Sequence, residues 1–176
     1  MALFTSADGA AADVSVRPAV VGDETAVTRV QRAAWRVAPA IGDDVVDLID
    51  ADAVQARWAD AVAKPPARGF AVLVAQDGPT IVGFAAVAPG QLLNLEVDPA
   101  HRQRGHGSRL LSAAVDRLRT DGAEEIVTWV LDGDTGRERF LTQSGMGPDG
   151  HERALAVGVD EEDVRSVVER RWSALL

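Results

Sequence analysis

The chain has 176 residues, of which 47% are hydrophobic and 26% charged, with a formal net charge of −9 and neither cysteine nor tyrosine. That length and apolar share suit one domain around one core, and no apolar run approaches the ~18 residues that cross a bilayer. The lack of cysteine excludes disulfides, thiolate nucleophiles and Cys-bearing zinc sites, and the acidic balance opposes non-specific contact with nucleic acid or an anionic membrane surface.

Residues 1–13 are small and acidic, without periodicity, and read as a flexible N-terminal arm. They lack a basic segment followed by an apolar one, so the expectation is a soluble cytoplasmic protein. Residues 14–176 read as a single domain. Val14 to Arg17 form a short strand stopped by Pro18, and Val27, Val30, Ala34 and Val37 give the three- and four-residue spacing of a helix that Pro39 ends. A second amphipathic helix covers 50–63 and closes at Pro65-Pro66. From residue 70 the period becomes two: FAVLVAQ, the turn Asp77-Gly78-Pro79 and TIVGFAAVA predict a β-hairpin, with QLLNLEV at 91–97 pairing beside it. Leu110, Leu111, Ala114, Val115 and Leu118 mark a helix ending at Asp121-Gly122. EEIVTWVL is the next strand, a short helix follows near 135–144, ERALAVGV reads as a strand, and SVVERRWSAL fits a strand or an amphipathic helix, its alternation favouring the strand. The order predicts an α/β sandwich with about seven strands and helices on both faces.

The chemistry concentrates between residues 92 and 111, where a strand, a Pro-containing turn, two glycines and a helix follow one another. Glycines at 105 and 107 let backbone approach a ligand, and the first amides of the following helix lack intrahelical acceptors, as a pyrophosphate site requires. Residues 101–120 carry Arg102, Arg104, Arg109, Arg117 and Arg119 against Asp116, a local net of +4 within an acidic protein. A dinucleotide-binding fold explains the glycines less well, because seven residues separate Val97 from Gly105 and the third glycine position is Leu110.

The run Arg102-Gln103-Arg104-Gly105-His106-Gly107, preceded by Val97-Asp98-Pro99, resembles the pyrophosphate signature Gln/Arg-x-x-Gly-x-Gly/Ala of the GNAT superfamily of acyl-CoA-dependent N-acyltransferases. Val16-Arg17-Pro18 on the first strand, the two early helices, and Arg139 to Met146, where that family has Phe-Tyr-x-x-x-Gly-Phe, extend the resemblance over about 14–175. It implies a three-layer sandwich around a central mixed sheet and an N-acetyltransferase that moves an acetyl group from acetyl-CoA to a primary amine of a small molecule or peptide by direct attack. It further implies that the backbone of Leu95 and Val97 pairs with the pantetheine arm. The thioester carbonyl is then expected near the Val97 N–H, while Arg102 and the amides of Gln103, Arg104, Gly105, His106, Gly107 and Ser108 hold the pyrophosphate. No metal is expected, and pairing of two copies into a homodimer stays open.

Three positions depart from the family. Leu141 stands where a tyrosine commonly protonates the thiolate, Asp134 where an asparagine is common, and Gln91 where many members begin the central strand with a glutamate base. Glu96 and Asp134 are therefore the candidate catalytic carboxylates, against plainer readings as a salt-bridged strand residue and a helix N-cap. Strict alternation puts Glu96 on the face opposite Gln91 unless a bulge intervenes. These losses leave an alternative function, a catalytically weak or inactive CoA-binding module of the same fold. His101, His106 and His151 show no metal-ligand spacing and read as loop residues. Trp129, on the strand beside the central pair, is a core residue or a wall of the acceptor pocket. Residues 38–63 hold six aspartates against Arg57, a net of −5, which suits a cationic acceptor or simply a solvated surface.

Overall fold

The computed structural model describes residues 14–38, 41–157 and 165–176, so the expected N-terminal arm lies outside the described residues. Among them no helix is long and apolar enough to cross a membrane. Chain order gives β1 (Val14–Pro18), α1 (Glu24–Arg36), α2 (Gly42–Leu48), α3 (Ala51–Ala63), β2 (Ala71–Asp77), β3 (Thr80–Ala88) and β4 (Gln91–Val97). A 3₁₀ turn at Pro99–His101 leads to α4 (His106–Thr120), β5 (Glu125–Leu131), α5 (Thr135–Gln143), β6 (Gly147–Val157) and β7 (Arg165–Leu175).

The strands form one seven-stranded sheet in the order β1-β2-β3-β4-β5-β7-β6, antiparallel at every step except β4 to β5. One face is covered by α4 and α5. There Leu110, Leu111, Ala114 and Leu118 pack with Leu92, Leu95, Val97, Ile126 and Val130, each buried leucine contributing about 1.5–3 kcal/mol of transfer free energy. The other face carries α1, whose Val27 and Val30 pack on Val74, Ile81 and Phe84. The Trp58 ring of α3 meets Phe84 edge-on at 4.9 Å, and its indole N–H donates to Gln31 Oε1 at 2.7 Å.

Three expectations need correction. Val37 leaves the apolar stripe: it caps α1 and is 53% exposed, because Pro39 disfavours helical backbone at the residue before it and the helix ends at Arg36. The short helix α2 was not expected. Strand β6 begins at Gly147, five residues before ERALAVGV, whose last two residues lie outside the described residues, and its ladder with β7 breaks between Pro148 and Glu152.

Candidate active site

Strands β4 and β5 pair at a single position, Gln91 with Val127, backed by the Thr128 hydroxyl donating to the Leu92 carbonyl at 2.9 Å. Beyond that point the two strands part, and the edge of β4 facing β5 has no strand partner among the described residues. The register of β4 on β3 shifts between Ala86 and Val87, so that Leu93 is an extra residue, half exposed. The bulge resets the alternation. Leu92, Leu95 and Val97 all face the α4 core, whereas Gln91, Asn94 and Glu96 share the face of Phe84 and α1. Glu96 therefore lies on the same face as Gln91. The Asp98 amide bonds to Val82 on β3 at 2.8 Å, and the two-residue period then turns the peptide groups of Leu95 and Val97 toward the gap.

The loop after β4 is tied at its start. Asp98 Oδ1 accepts from the Ala100 amide at 3.0 Å while Oδ2 pairs with Arg29 of α1 at 2.8 Å. Burial pushes the Asp98 carboxyl up, and the Ala100 amide with the Arg29 guanidinium outweigh it, so the group sits below its ordinary value. Gln103 and Gly105 both have left-handed backbone, at φ 60° and 82°, which folds the chain sharply into α4. The first α4 amide with an intrahelical acceptor is that of Arg109, to the Gly105 carbonyl at 3.1 Å, so the His106, Gly107 and Ser108 amides precede the helical ladder. Arg102, Gln103, Arg104 and Gly105 are exposed around this opening.

The arginine cluster divides. Arg102, Arg104 and Arg109 stand at the loop, but Arg117 and Arg119 lie in the last turn of α4, about 20 Å along a helix that rises about 1.5 Å per residue, and Arg117 is spent on Asp121 at 2.6 Å. His106 also departs from its reading as a loop residue. Its ring is buried, 3.8 Å from Asp77 Oδ2, and neither ring nitrogen has a hydrogen-bond partner among the described residues. Burial lowers its pKa, partly opposed by the Asp77 carboxylate and reinforced by Arg109, His101 and Arg104.

The two candidate carboxylates meet through a residue that sequence reasoning missed. Asp134 caps α5, its Oδ1 accepting from the Arg137 amide at 3.0 Å. The Arg137 side chain crosses the gap: Nη2 donates to Glu96 Oε1 at 2.8 Å and Nη1 to the Leu95 carbonyl at 3.0 Å, with Nε 3.6 Å from Asp134 Oδ2. The available signal was the three-residue step from Asp134 to Arg137, which puts both on one helix face. Leu141 is buried in the main core. Trp129 is half-buried on the β5 face opposite that core, and the Arg153 guanidinium, held by Glu169 at 2.6 Å, lies 4.2 Å over its ring.

Residues 30–146 match a family model described as acetyltransferase (GNAT) family. The chain belongs to the GNAT acetyltransferase family. A stretch of 67 residues is 42% identical to a mycothiol acetyltransferase from Brachybacterium faecium, covering 38% of this chain and 19% of that enzyme. Two solved structures share the fold. One is the PaiA N-acetyltransferase from Thermoplasma acidophilum in complex with coenzyme A, with TM-score 0.72, 14% identity, and 93% of this chain and 99% of that one covered. The other is a phosphinothricin acetyltransferase from Sinorhizobium meliloti in complex with AcCoA, with TM-score 0.69, 17% identity, and 93% and 88% covered. Membership of the GNAT family gives a physical meaning to the parted strands. An unpaired edge that runs into an amide-rich helix start suits a long ligand carrying amides at one end and phosphates at the other.

Proposed function

We propose that this protein transfers an acetyl group from acetyl-CoA to a primary amine of a small molecule or peptide. The observation that carries the reading is the unpaired edge of β4 leading directly into the N-terminus of α4. The site fits the co-substrate at both ends. Leu95 and Val97 turn their amides toward an added strand, their carbonyls accepting from Arg137 at 3.0 Å and Arg102 at 3.3 Å, and the backbone from Gln103 to Ser108 offers amides to a pyrophosphate. A Cβ built on Gly107 falls 3.6 Å from the Phe140 ring, so this wall is close without being blocked. Bound acetyl-CoA supplies the acyl group as a thioester, and a neutral amine attacks it so that carbon–nitrogen bonding replaces carbon–sulfur bonding with the electron pair left on sulfur. The backbone N–H of Val97 stabilises the developing negative oxygen. Glu96, Asp134 or water takes the proton from the acceptor nitrogen.

Three observations favour a second reading, a CoA-binding module with little turnover: the Leu141 side chain is buried, the chain has no tyrosine, and Glu96 is engaged by Arg137. Calorimetry with CoA followed by a thiol-release assay over a panel of amines separates the cases. The transferase predicts one-to-one CoA binding and amine-dependent thiol release. Binding without release supports the module, and no binding refutes both.

The acceptor proposed for the transferase is cationic. Of the acids between 38 and 63 whose side chains are described, Asp47 pairs with Arg36, Asp50 caps α3 through the Asp52 and Ala53 amides, and both of these, with Asp52 and Asp60, are exposed. The surviving negative field still favours an ammonium over a neutral amine.

A further inference from the structure

Arg137 occupies the groove that the acetyl-CoA reading assigns to the pantetheine arm. Its Nη1 donates to the Leu95 carbonyl at 3.0 Å, on the edge of β4 that β5 leaves unpaired, and its Nη2 holds Glu96 Oε1 at 2.8 Å. The side chain comes from α5, the opposite wall, so these two bonds close the gap like a rung. Helix α5 has other anchors: Asp134 caps it and Leu141 is buried in the main core. Holding α5 in place therefore does not explain the rung.

We propose that Arg137 is a positioning residue that couples co-substrate binding to Glu96. In the free protein it clamps the β4 edge. When the pantetheine arm takes the Leu95 carbonyl, the guanidinium is left to Glu96 and to Asp134, whose Oδ2 is already 3.6 Å from Nε, and it orients Glu96 toward the acceptor face. The clamp reduces apparent CoA affinity by the fraction of molecules in which it is closed.

This rests on the acetyl-CoA reading, and the experiment separates the two. CoA dissociation constants are measured by calorimetry on the full chain for the wild type, Arg137→Ala, Arg137→Lys, Glu96→Gln and the Arg137→Ala/Glu96→Gln double variant. Arg137→Ala is expected to bind CoA about three- to ten-fold more tightly, because the closed fraction is removed. Arg137→Lys, which cannot span both acceptors with one ammonium, gains less, and keeps the test available if the alanine variant fails to fold. Glu96→Gln weakens one of the two holds and gains less again, while the double variant matches Arg137→Ala alone, since both act on one clamp. Turnover splits the other way: with acetyl-CoA saturating, Arg137→Ala lowers kcat although its acetyl-CoA KM falls, a pattern that simple loss of packing does not produce. Weaker or unchanged CoA binding in Arg137→Ala, or additive gains in the double variant, overturns the proposal alone. A wild type that binds no CoA overturns the acetyl-CoA reading and the clamp together.

Discussion

His106 is buried beneath the loop that enters α4, with two ring nitrogens that lack a partner among the described residues. Burial lowers its pKa below the ordinary histidine value of about 6.5. Below that ordinary value the unfolded chain binds a proton that the folded chain still refuses. His106 therefore costs no charge-linked stability above about pH 6.5, and stability falls as pH drops from there toward the folded pKa, with a slope of at most about 1.4 kcal/mol per pH unit. Replacing His106 with leucine is expected to change stability at pH 7.5 by less than about 1 kcal/mol, since an unsatisfied polar ring gives way to an apolar group of similar size. The same replacement removes the acid-side loss. Urea unfolding of both proteins at pH 7.5 and 5.5 measures this; an identical pH response in the two proteins contradicts it. The ring's burial was not legible in the sequence, because it follows from how Asp77 and the β2–β3 turn lie beside α4. Glu96 was legible only conditionally. Nothing in QLLNLEV marks Leu93 as a bulge, lacking glycine and proline, so local pattern left two faces open and the register with β3 chose one.

At the scale of elements, the two glycines at the start of α4 have different tasks. Gly105 has φ 82°, so Gly105→Ala is expected to cost about 1–2 kcal/mol of stability through left-handed backbone strain. A Cβ there also falls 2.8 Å from Arg109 Nη1, which a flexible side chain can relieve. Gly107 lies within the helix without positive φ, and its Cβ makes ordinary contact with Phe140, so Gly107→Ala is expected to be neutral or to stabilise by up to about 1 kcal/mol. Gly107→Leu, by contrast, fills the approach to the α4 amides and should weaken CoA binding by about tenfold or more, the equivalent of one lost charge-assisted hydrogen bond. Thermal unfolding beside calorimetry tests the pair; a Gly107→Leu protein that folds and binds CoA normally places the pyrophosphate elsewhere. The strand–loop–helix order around these glycines could be read from sequence because the period changes and the glycines punctuate it. Helix α2 could not: it has seven residues, has Ile41 at its N-cap position with no side-chain cap, and carries two adjacent aspartates that read as loop. The early start of β6 was hidden because Gly147-Pro148-Asp149-Gly150 has turn composition. The strand accommodates it with an irregular step opposite β7, where Gly150 takes φ 89°.

Across the whole molecule, charge is distributed against its average. The net charge is −9, yet Arg102, Arg104 and Arg109 collect at the mouth of α4, while exposed Asp52 and Asp60 lie on α3. The start of α4 thus favours an anionic ligand, and under the proposed function the acidic remainder favours a cationic acceptor. The range of that field is set by salt: the Debye length is ~30 Å at 0.01 M ionic strength and ~8 Å at 0.15 M. If the field draws in the acceptor, the apparent KM for cationic amines should rise several-fold between those ionic strengths while that for neutral amines stays constant, with acetyl-CoA saturating so that its own binding drops out. An Asp43→Asn/Asp44→Asn/Asp47→Asn variant should begin with a higher KM for cationic amines and respond less to salt. Its kcat should stay at the wild-type value, because long-range attraction acts on capture and not on the bound reactants. Neutral and cationic amines that respond alike in both proteins would show that the acidic surface serves only as a solvated face, and the acceptor's charge would then have to be sought at Gln91, Asn94 and Glu96 on the β4 face.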